Sequence, residues 1–310
     1  MAVMTPAQLL DQLFSPVDVD TSGDLRSFLK ITGLGAPATA SDFERLAAVA
    51  LRASSRLGAS AAGHQSSILR MFPGTPADAI TAFCVSEDQG PQPSKILSKL
   101  TPTATGYVLD GRKRWGSMSP LADILYVAAS IGVKDGRNQL RMVQVATDRP
   151  GLTFDTSAYA DYRDHMPIAD MMFSDCAVAP GEVIEVDAYE TFIKPFRLVE
   201  DVYTTVGVQI GLLRLGRTHG WAQDVLEDLV GLIVQAHAIS ETPMARPADV
   251  LLMSAYFRAS GALWDRLGDN WRLVPDEERA AWSPDVGTLG IAARAREARR
   301  VNAWTALAGV

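Results

Sequence analysis

The chain has 310 residues, 47% of them apolar and 21% charged, which is typical of a globular protein with a large apolar interior and excludes a disordered or collagen-like chain. Its formal net charge is −7, and because no long block of Lys or Arg is present we expect no nucleic acid partner. No apolar run approaches the length of about 20 residues that a membrane span needs, and the first residues lack the layout of a signal peptide, so we expect a cytoplasmic protein without a membrane segment.

The N-terminal residues, to about position 75, predict helices separated by short loops. Thr5 and Ser41 each begin a capping-box pattern, with Gln or Glu three residues later and apolar residues at helical spacing beyond. The second of these patterns continues to about residue 57. The intervening segment ITGLGAPATA, residues 31–40, is rich in Gly, Pro and Ala and predicts no regular structure.

From residue 80 to about residue 186 the pattern changes to short runs rich in Val, Ile, Tyr and Phe, which predict β-strands. The dipeptides Asp110-Gly111 and Asp135-Gly136 favour type I′ turns that would close hairpins. Such short connections indicate antiparallel pairing. The best strand candidates are ITAFCVSE, GYVLDGRKRW, ILYVAAS, LRMVQVAT and ADMMFSDCAV.

After residue 188 long helical patterns return, at 196–238, 247–267 and 286–307. The order of elements is therefore α, β, α. It predicts an α+β fold with an N-terminal helical domain, a central antiparallel β domain and a C-terminal helical bundle. The predicted domain boundaries are 1–78, 79–188 and 189–310.

Three segments of the β region match a known pattern in order and spacing. Val85-Ser86-Glu87, followed by Gly90, precedes by about twenty residues the segment GYVLDGRKRWGS at 106–117, and FSDCAVAP follows at 173–180. These segments resemble the paired flavin-binding signatures of the acyl-CoA dehydrogenase family, (V/L)-T-E and Y-x-L-x-G-x-K-x-W-x-(T/S), and the strand that closes its β domain. The resemblance implies an acyl-CoA dehydrogenase-like fold that binds FAD.

The residue types in these segments suit a flavin. An isoalloxazine is planar and electron-poor, so it needs an aromatic wall, for which Trp115 is the candidate, and donors to its ring edge. Ser86 and Ser117 are the candidate donors, since hydrogen bonds to the ring stabilise the reduced form. The resemblance adds Val85 and Gly116 to the cofactor-binding set. The alternative is that Trp115 is an ordinary sheet aromatic and that both serines are turn residues.

The resemblance also implies a catalytic carboxylate, because removal of the α-proton from a thioester needs a base. One of the family's two positions for this Glu is at the start of the first long helix after the β domain. Counting back from Gly211, which matches a helix glycine of the family, places Asp201 nearest the base position, with Glu200 one residue off. We favour Glu200 for its longer reach. The alternative is that both are acidic residues near a helix N-terminus, where the helix dipole favours negative charge.

Several departures from the family pattern affect substrate and cofactor binding. Residues 89–94 replace the family's Gly-Ser-Asp, so the candidate substrate contacts, Gln89 and Gly90, are altered. The helix after Gly211 lacks the Arg-x-x-Phe-Gly motif that reaches another subunit's FAD, and the chain ends at Gly309-Val310 without a Gly-Gly-x-Gly segment. Together these departures favour FAD binding at an interface with a different chain.

Other reactive residue types lack the spacing of a site. The two cysteines form no CxxC pair, which indicates a reducing compartment, and we interpret both as small apolar core residues. The histidines are scattered, and we expect no metal site. A C-terminal arginine cluster either faces a phosphate of CoA or FAD or forms a solvated helix face. These residues are Cys84, Cys176, His64, His165, His219, His237, Arg294, Arg296, Arg299 and Arg300.

These expectations combine into a function. The resemblance implies an FAD-dependent oxidoreductase that oxidises an acyl-CoA thioester to the 2,3-enoyl-CoA and passes electrons to electron-transfer flavoprotein or a similar acceptor. We expect a homo-oligomer, or a hetero-oligomer with a related subunit. The alternatives are a catalytically silent subunit of a heteromeric acyl-CoA dehydrogenase and a flavin monooxygenase on the same fold.

Overall fold

The computed structural model describes residues 4–34, 40–162, 166–282 and 293–309. The chain divides into two compact units. The helical unit combines Met1–Ser67 with Leu198–Val310, and the β unit is Ile68–Arg197. Among the described residues, no helix combines the length and the apolar character needed to cross a membrane.

Both predicted capping boxes are confirmed at the start of the helical unit. Thr5 and Ser41 each accept a hydrogen bond from the backbone N–H three residues later, and the Gln or Glu side chain at that position accepts one from the cap residue. These caps satisfy donors that a helix start leaves unpaired. The N-terminal helices are α1 (Pro6–Phe14), α2 (Leu25–Leu34), α3 (Asp42–Ala50) and α4 (Arg56–Met71).

Two details of the N-terminal prediction are wrong. The helical pattern that was expected to continue to residue 57 is interrupted, because α3 ends at Ala50 and Ser55 accepts a hydrogen bond from the N–H of Gly58 at 3.1 Å, which starts α4. Residues 31–34 of ITGLGAPATA are helical, as the last turn of α2, since the Gly and Pro residues of this segment come mostly after them. Residues 35–39 lie outside the described residues.

The C-terminal helices are α5 (Lys194–His219), α6 (Gln223–Ser240), α7 (Pro247–Arg266), α8 (Asp276–Trp282) and α9 (Ala293–Ala308). The predicted single helix at 196–238 is two helices. Gly220 ends α5 with a φ of +66°, and the N–H of Trp221 bonds to the carbonyl of Gly216 at 2.9 Å. A left-handed glycine just past the last turn is the usual helix stop. Of the helix predicted at 286–307, residues 286–292 lie outside the described residues.

Within the described residues the β unit contains one sheet of eight strands, in the order β6-β7-β3-β2-β4-β5-β8, with β1 paired to β4. The strands are β1 (Thr81–Cys84), β2 (Lys99–Pro102), β3 (Tyr107–Ser117), β4 (Ile124–Lys134), β5 (Arg137–Ala146), β6 (Leu152–Asp155), β7 (Ile168–Val178) and β8 (Val183–Ile184). The α+β class is confirmed.

Most strand pairs are antiparallel, as predicted, but β4 is parallel to both β1 and β2. The chain between β1 and β4 is long enough to return to the same end of the sheet, as a parallel pair requires. Asp135-Gly136 is confirmed as a hairpin turn, since both residues have positive φ, 51° and 73°. Asp110-Gly111 is not a turn. It lies inside β3, where the register with β7 shifts between Leu109 and Gly111.

The sheet buries both cysteines. Cys84 and Cys176 belong to one apolar cluster, built from the inward-facing residues of most strands of the sheet. The Sγ of Cys84 lies 3.4 Å from the Sδ of Met171. A second cluster stacks Phe72 on Tyr126 with ring centroids 3.7 Å apart. The interpretation of both cysteines as core residues is confirmed.

Candidate functional site

A buried ion pair ties the segment Val85-Ser86-Glu87 to strand β3. The Nζ of Lys113 donates to Oε1 of Glu87 at 2.6 Å and to the carbonyl of Val85 at 3.3 Å, and its side chain is 0% exposed. Glu87 also accepts from the backbone N–H groups of Leu97 and Ser98, at 2.7 and 3.0 Å. Two segments that are distant in the chain are thereby fixed against each other.

The charges of this ion pair depend on each other. Burial raises the pKa of Glu87, but the charge and hydrogen bond of Lys113 and the backbone hydrogen bonds of Ser98 and Leu97 together outweigh burial, so the pKa lies below its ordinary value. Burial lowers the pKa of Lys113, and Glu87 opposes that effect. The carboxylate is therefore ionised at neutral pH, and its oxygens act only as acceptors.

Trp115 lies where the pairing of β3 with β7 is interrupted. The register shifts between Lys113 and Gly116, and Trp115 has a φ of 58°, in the left-handed region that bulky residues rarely adopt. Its N–H is used outside the ladder, in a hydrogen bond of 3.1 Å to the hydroxyl of Tyr159. The indole is 49% exposed, so much of its surface is available to a ligand.

The other candidate cofactor residues lie close to Trp115 along the backbone. The carbonyl of Ser86 accepts from the N–H of Arg114 at 2.8 Å, which places the 85–87 segment next to this part of β3. Ser86 and Ser117 are half-buried. Gly116 is buried, and a Cβ there would lie 2.3 Å from the terminal methyl of Met171. Val85 is buried in the apolar core, so it can offer a ligand backbone rather than side chain.

A charged cluster beside Trp115 was missed by the sequence prediction. Buried Asp170, on β7, accepts from the hydroxyl of Tyr159, from Arg112 at 2.6 Å and from Arg114 at 3.2 Å. Asp170 directly precedes Met171 in β7, so strand alternation places it on the face opposite the apolar cluster, and its burial had no sequence signal. Tyr159 lies in a short 3₁₀ segment between β6 and β7, and no periodicity singled it out.

The candidate substrate residues form a tight turn after Glu87. Glu87 and Gly90 exchange backbone hydrogen bonds of 2.9 and 3.3 Å, and Gly90 has a φ of +105°. Gln89 is exposed at the tip of this turn. The turn starts one residue after Ser86, so it extends the surface that Ser86 and Trp115 begin.

In the helical unit, Glu200 and Asp201 lie more than one turn inside α5, which begins at Lys194. The segment 194–201 was predicted to open this helix, and α5 does begin at Lys194, directly after a π-helical turn at Tyr189–Ile193. The helix dipole acts mainly within the first turn, so it has little effect on either carboxylate.

Glu200 contacts a buried histidine. Its Oε1 lies 2.9 Å from Nδ1 of His64, on α4, and the two side chains are 16% and 2% exposed. Gly63 allows the two helices to approach, since a Cβ at Gly63 would lie 2.3 Å from the carbonyl oxygen of Tyr203. The imidazole can donate a hydrogen bond to the carboxylate through Nδ1.

Asp201 contacts two arginines. It lies 3.4 Å from Nε of Arg296 and 3.7 Å from a terminal nitrogen of Arg299, both on α9. Arg296 also lies 4.0 Å from the ring centroid of Phe257. A cavity of about 120 Å³ is lined by Leu198, Phe257 and both arginines, among others. The arginine cluster is therefore in part a partner of Asp201 rather than only a solvated face.

The remaining histidines are distributed as follows. His219 lies 2.7 Å from Glu278, and buried His237 contacts the ring of Phe43. His165 lies outside the described residues. No group of three or more His, Cys, Asp or Glu side chains in the described part of the chain could hold a metal ion.

Parts of the chain are similar to two proteins that are named as acyl-CoA or benzylmalonyl-CoA dehydrogenases. No family model matches the chain. The probable acyl-CoA dehydrogenase FadE10 of Mycobacterium tuberculosis is 36% identical over 88 residues, which is 27% of this chain and 14% of that protein. The benzylmalonyl-CoA dehydrogenase of Aromatoleum aromaticum is 30% identical over 121 residues, 37% of this chain and 30% of that protein. The chain thus matches less than a third of the length of either relative.

Solved structures match over most of the chain. The acyl-CoA dehydrogenase of Geobacillus kaustophilus aligns with a TM-score of 0.61 at 14% identity, over 89% of both chains. The glutaryl-CoA dehydrogenase of Mycobacterium smegmatis in complex with FADH2 aligns at 0.57 and 14% identity, over 98% of this chain and 94% of that one. FkbI, for biosynthesis of a methoxymalonyl extender unit, aligns at 0.60 and 18%, over 98% and 99%. The predicted fold and the predicted resemblance are confirmed.

Proposed function

Starting from the acyl-CoA dehydrogenase fold that the chain shares with these proteins, we propose that it is a flavoprotein subunit that binds FAD and oxidises an acyl-CoA thioester to the 2,3-enoyl-CoA. The observation that carries the proposal is the position of Trp115. Its indole is half-exposed while its backbone is fixed, and Ser86 is held beside it by the bond between Ser86 and Arg114.

The residues present fit a flavin. A flat tricyclic ring needs a rigid aromatic surface and donors at its edge, and Trp115 with Ser86 and Ser117 supplies both types of group. The buried ion pair of Lys113 and Glu87 keeps the 85–87 segment in place without the ligand. Bound FAD would supply the acceptor for the hydride that leaves Cβ of the thioester.

We propose Glu200 as the base for the α-proton. Asp201 is neutralised by two arginines, which favour its ionised form and so weaken it as a proton acceptor. Glu200 contacts His64, whose imidazole can orient the carboxylate toward a substrate. Glu200 is also the more exposed of the two.

The substrate class and the partners belong to the same proposal. Both curated relatives are named as dehydrogenases, one of an acyl-CoA and one of benzylmalonyl-CoA, which supports a CoA thioester as substrate. The exposed turn at Gln89 and Gly90 is proposed to contact it. We propose electron-transfer flavoprotein or a similar protein as the electron acceptor, and an assembly of identical or related subunits.

A second candidate function has support from the same contacts. Glu200 and Asp201 both have internal partners, as they would in a subunit that had lost its catalytic role. In this case the chain would scaffold a related, active subunit.

The test is a flavin spectrum followed by anaerobic reduction. The purified protein is mixed with FAD, desalted, and titrated with acyl-CoA thioesters without oxygen while the absorbance near the flavin maximum is followed. Bound flavin that bleaches supports the dehydrogenase. Bound flavin that does not bleach favours the silent subunit, and no flavin binding, alone or with a co-purified partner, contradicts the proposal.

A further inference from the structure

Buried Tyr159 contacts both the ring and the backbone of Trp115. The ring of Tyr159 packs against the indole edge to face, with centroids 5.0 Å apart and planes at 66°. The Tyr159 hydroxyl accepts the backbone N–H of Trp115 at 3.1 Å. Tyr159 is 5% exposed whereas Trp115 is 49% exposed. Tyr159 therefore covers one side of Trp115, and the exposed part of the indole remains accessible to a ligand.

The direction of each hydrogen bond in this cluster follows from the charge of Asp170. Burial raises the pKa of Asp170, but the hydrogen bonds of Tyr159 and Arg112 and the charge of Arg114 outweigh burial, so it lies below its ordinary value. The ionised carboxylate only accepts, so the Tyr159 hydroxyl must donate its single proton to it. The hydroxyl oxygen is then left to accept from Trp115.

This chain of bonds offsets an unfavourable backbone conformation. A tryptophan with a φ of 58° persists only where its surroundings hold it. The sheet does not hold it, because the ladder of β3 with β7 skips Arg114 and Trp115. If the bond to Tyr159 were lost, the backbone would relax toward the extended region, and in a strand that change redirects the side chain.

We propose that Tyr159 is a positioning residue that fixes the Trp115 indole for stacking on a planar aromatic ligand, with Asp170, Arg112 and Arg114 fixing Tyr159 in turn. The inference rests on the proposed function in taking that ligand to be the flavin. Tyr159 itself need not touch the flavin, since it acts through the direction of the indole.

The test compares Tyr159→Phe with Tyr126→Phe. Each substitution removes one hydroxyl from a buried tyrosine, and that of Tyr126 contacts Thr75 at 2.6 Å rather than Trp115 or Asp170. We expect Tyr159→Phe to weaken FAD binding about tenfold, as the loss of one such hydrogen bond would, and to shift the absorbance spectrum and reduction potential of the bound flavin. Tyr126→Phe should change thermal stability but neither the spectrum nor the potential.

Two further measurements test the positioning role of Tyr159. Asp170→Asn, which removes the charge that orients the Tyr159 hydroxyl, should shift the flavin spectrum in the same direction as Tyr159→Phe. If the wild-type protein binds no flavin, the proposed function fails, and acrylamide quenching of Trp115, obtained by difference from Trp115→Phe, tests the positioning role alone. Increased quenching in Tyr159→Phe supports that role. Unchanged affinity, spectrum and quenching in Tyr159→Phe would overturn it.

Discussion

In the β unit, Glu87 and Arg114 have partners that are closer in the chain than the partner of Glu200 in the helical unit. Glu87 and Lys113 are 26 residues apart, and Arg114 and Asp170 are 56 apart. By contrast, His64 and Glu200 are separated by 136 residues. The sequence prediction identified none of these pairings, because each forms only in the folded unit.

The two units also differ in how deeply they bury charge. Lys113 and Glu87 are 0% and 8% exposed, so water can replace neither partner. Asp201 is buried to a similar extent, but its partners Arg296 and Arg299 are about one-third exposed. The ion pair of Lys113 and Glu87 is therefore shielded from water at both groups, whereas Asp201 is paired with arginines that water can reach.

The largest expected effect tests whether the helical unit supplies the reactive group. Glu200→Gln should leave FAD binding intact and lower the rate of flavin reduction by a saturating acyl-CoA by about 10²- to 10⁴-fold, the usual contribution of a general base. Anaerobic stopped-flow absorbance measures that rate. The comparison variant is Asp201→Asn, which keeps the carboxylate of Glu200. A loss in Asp201→Asn alone would assign the base to Asp201, and unchanged rates in both would favour the silent subunit.

The next effect tests the rigidity of the β unit. Lys113→Met leaves the carboxylate of Glu87 buried without its cation, so the free energy of unfolding should fall by about 3–5 kcal/mol. Urea denaturation followed by circular dichroism measures this change. Adding Glu87→Gln should restore part of the loss, because a neutral amide replaces the unpaired charge. If Lys113→Met alone lowers the free energy of unfolding by less than about 1 kcal/mol, Glu87 is protonated or solvated in that variant.

A smaller effect concerns packing in the helical unit. A Cβ at Gly211 would lie 2.2 Å from the ring of Trp282, which is 0% exposed and cannot move freely. Gly211→Ala should therefore lower the free energy of unfolding by about 1–3 kcal/mol. The matched control is Gly231→Ala on α6, where nothing lies within 4 Å of the added Cβ, and which should raise stability slightly. Equal effects in thermal denaturation would contradict the packing assignment.

The smallest effect depends on pH and concerns Asp170. The pKa of Asp170 is below its ordinary value in the folded protein. Ionised Asp170 therefore stabilises the fold when the pH is above its pKa in the unfolded chain, and this stabilisation is lost as the pH falls through its pKa in the folded protein. Asp170→Asn should be about 1 kcal/mol less stable than wild type at pH 7. That difference should shrink below about pH 4. Melting temperatures measured across this range check the trend, and a constant difference would contradict it.

The sequence predicted the fold class and the local elements well where one short pattern determines the structure. The capping boxes at Thr5 and Ser41 and the turn at Asp135-Gly136 are of this kind. Asp110-Gly111 has the same turn-forming composition, yet β3 continues through it, because pairing with strands on both sides outweighs the local preference for a turn.

The candidate site was predictable only in part, for a related reason. The segments around Ser86 and Trp115 were found from their order and spacing, and the β unit does bring them together. Tyr159 and His64 were not found as partners of Trp115 and Glu200, because each pairing depends on the tertiary structure. The start of α5 at Lys194 agrees with the predicted start near residue 196, but the preceding π-helical turn was not expected.

The two buried cysteines allow local unfolding of the β unit to be followed by thiol labelling. Burial raises the pKa of Cys84 to about 12 and also raises that of Cys176, so neither thiol should react with alkylating reagents while the sheet is closed. They are the chain's two cysteines, and both belong to the β unit. The rate of thiol alkylation under native conditions therefore gives the opening free energy of this unit separately from the helical one. Slower labelling with added FAD would measure ligand binding without using the colour of the flavin.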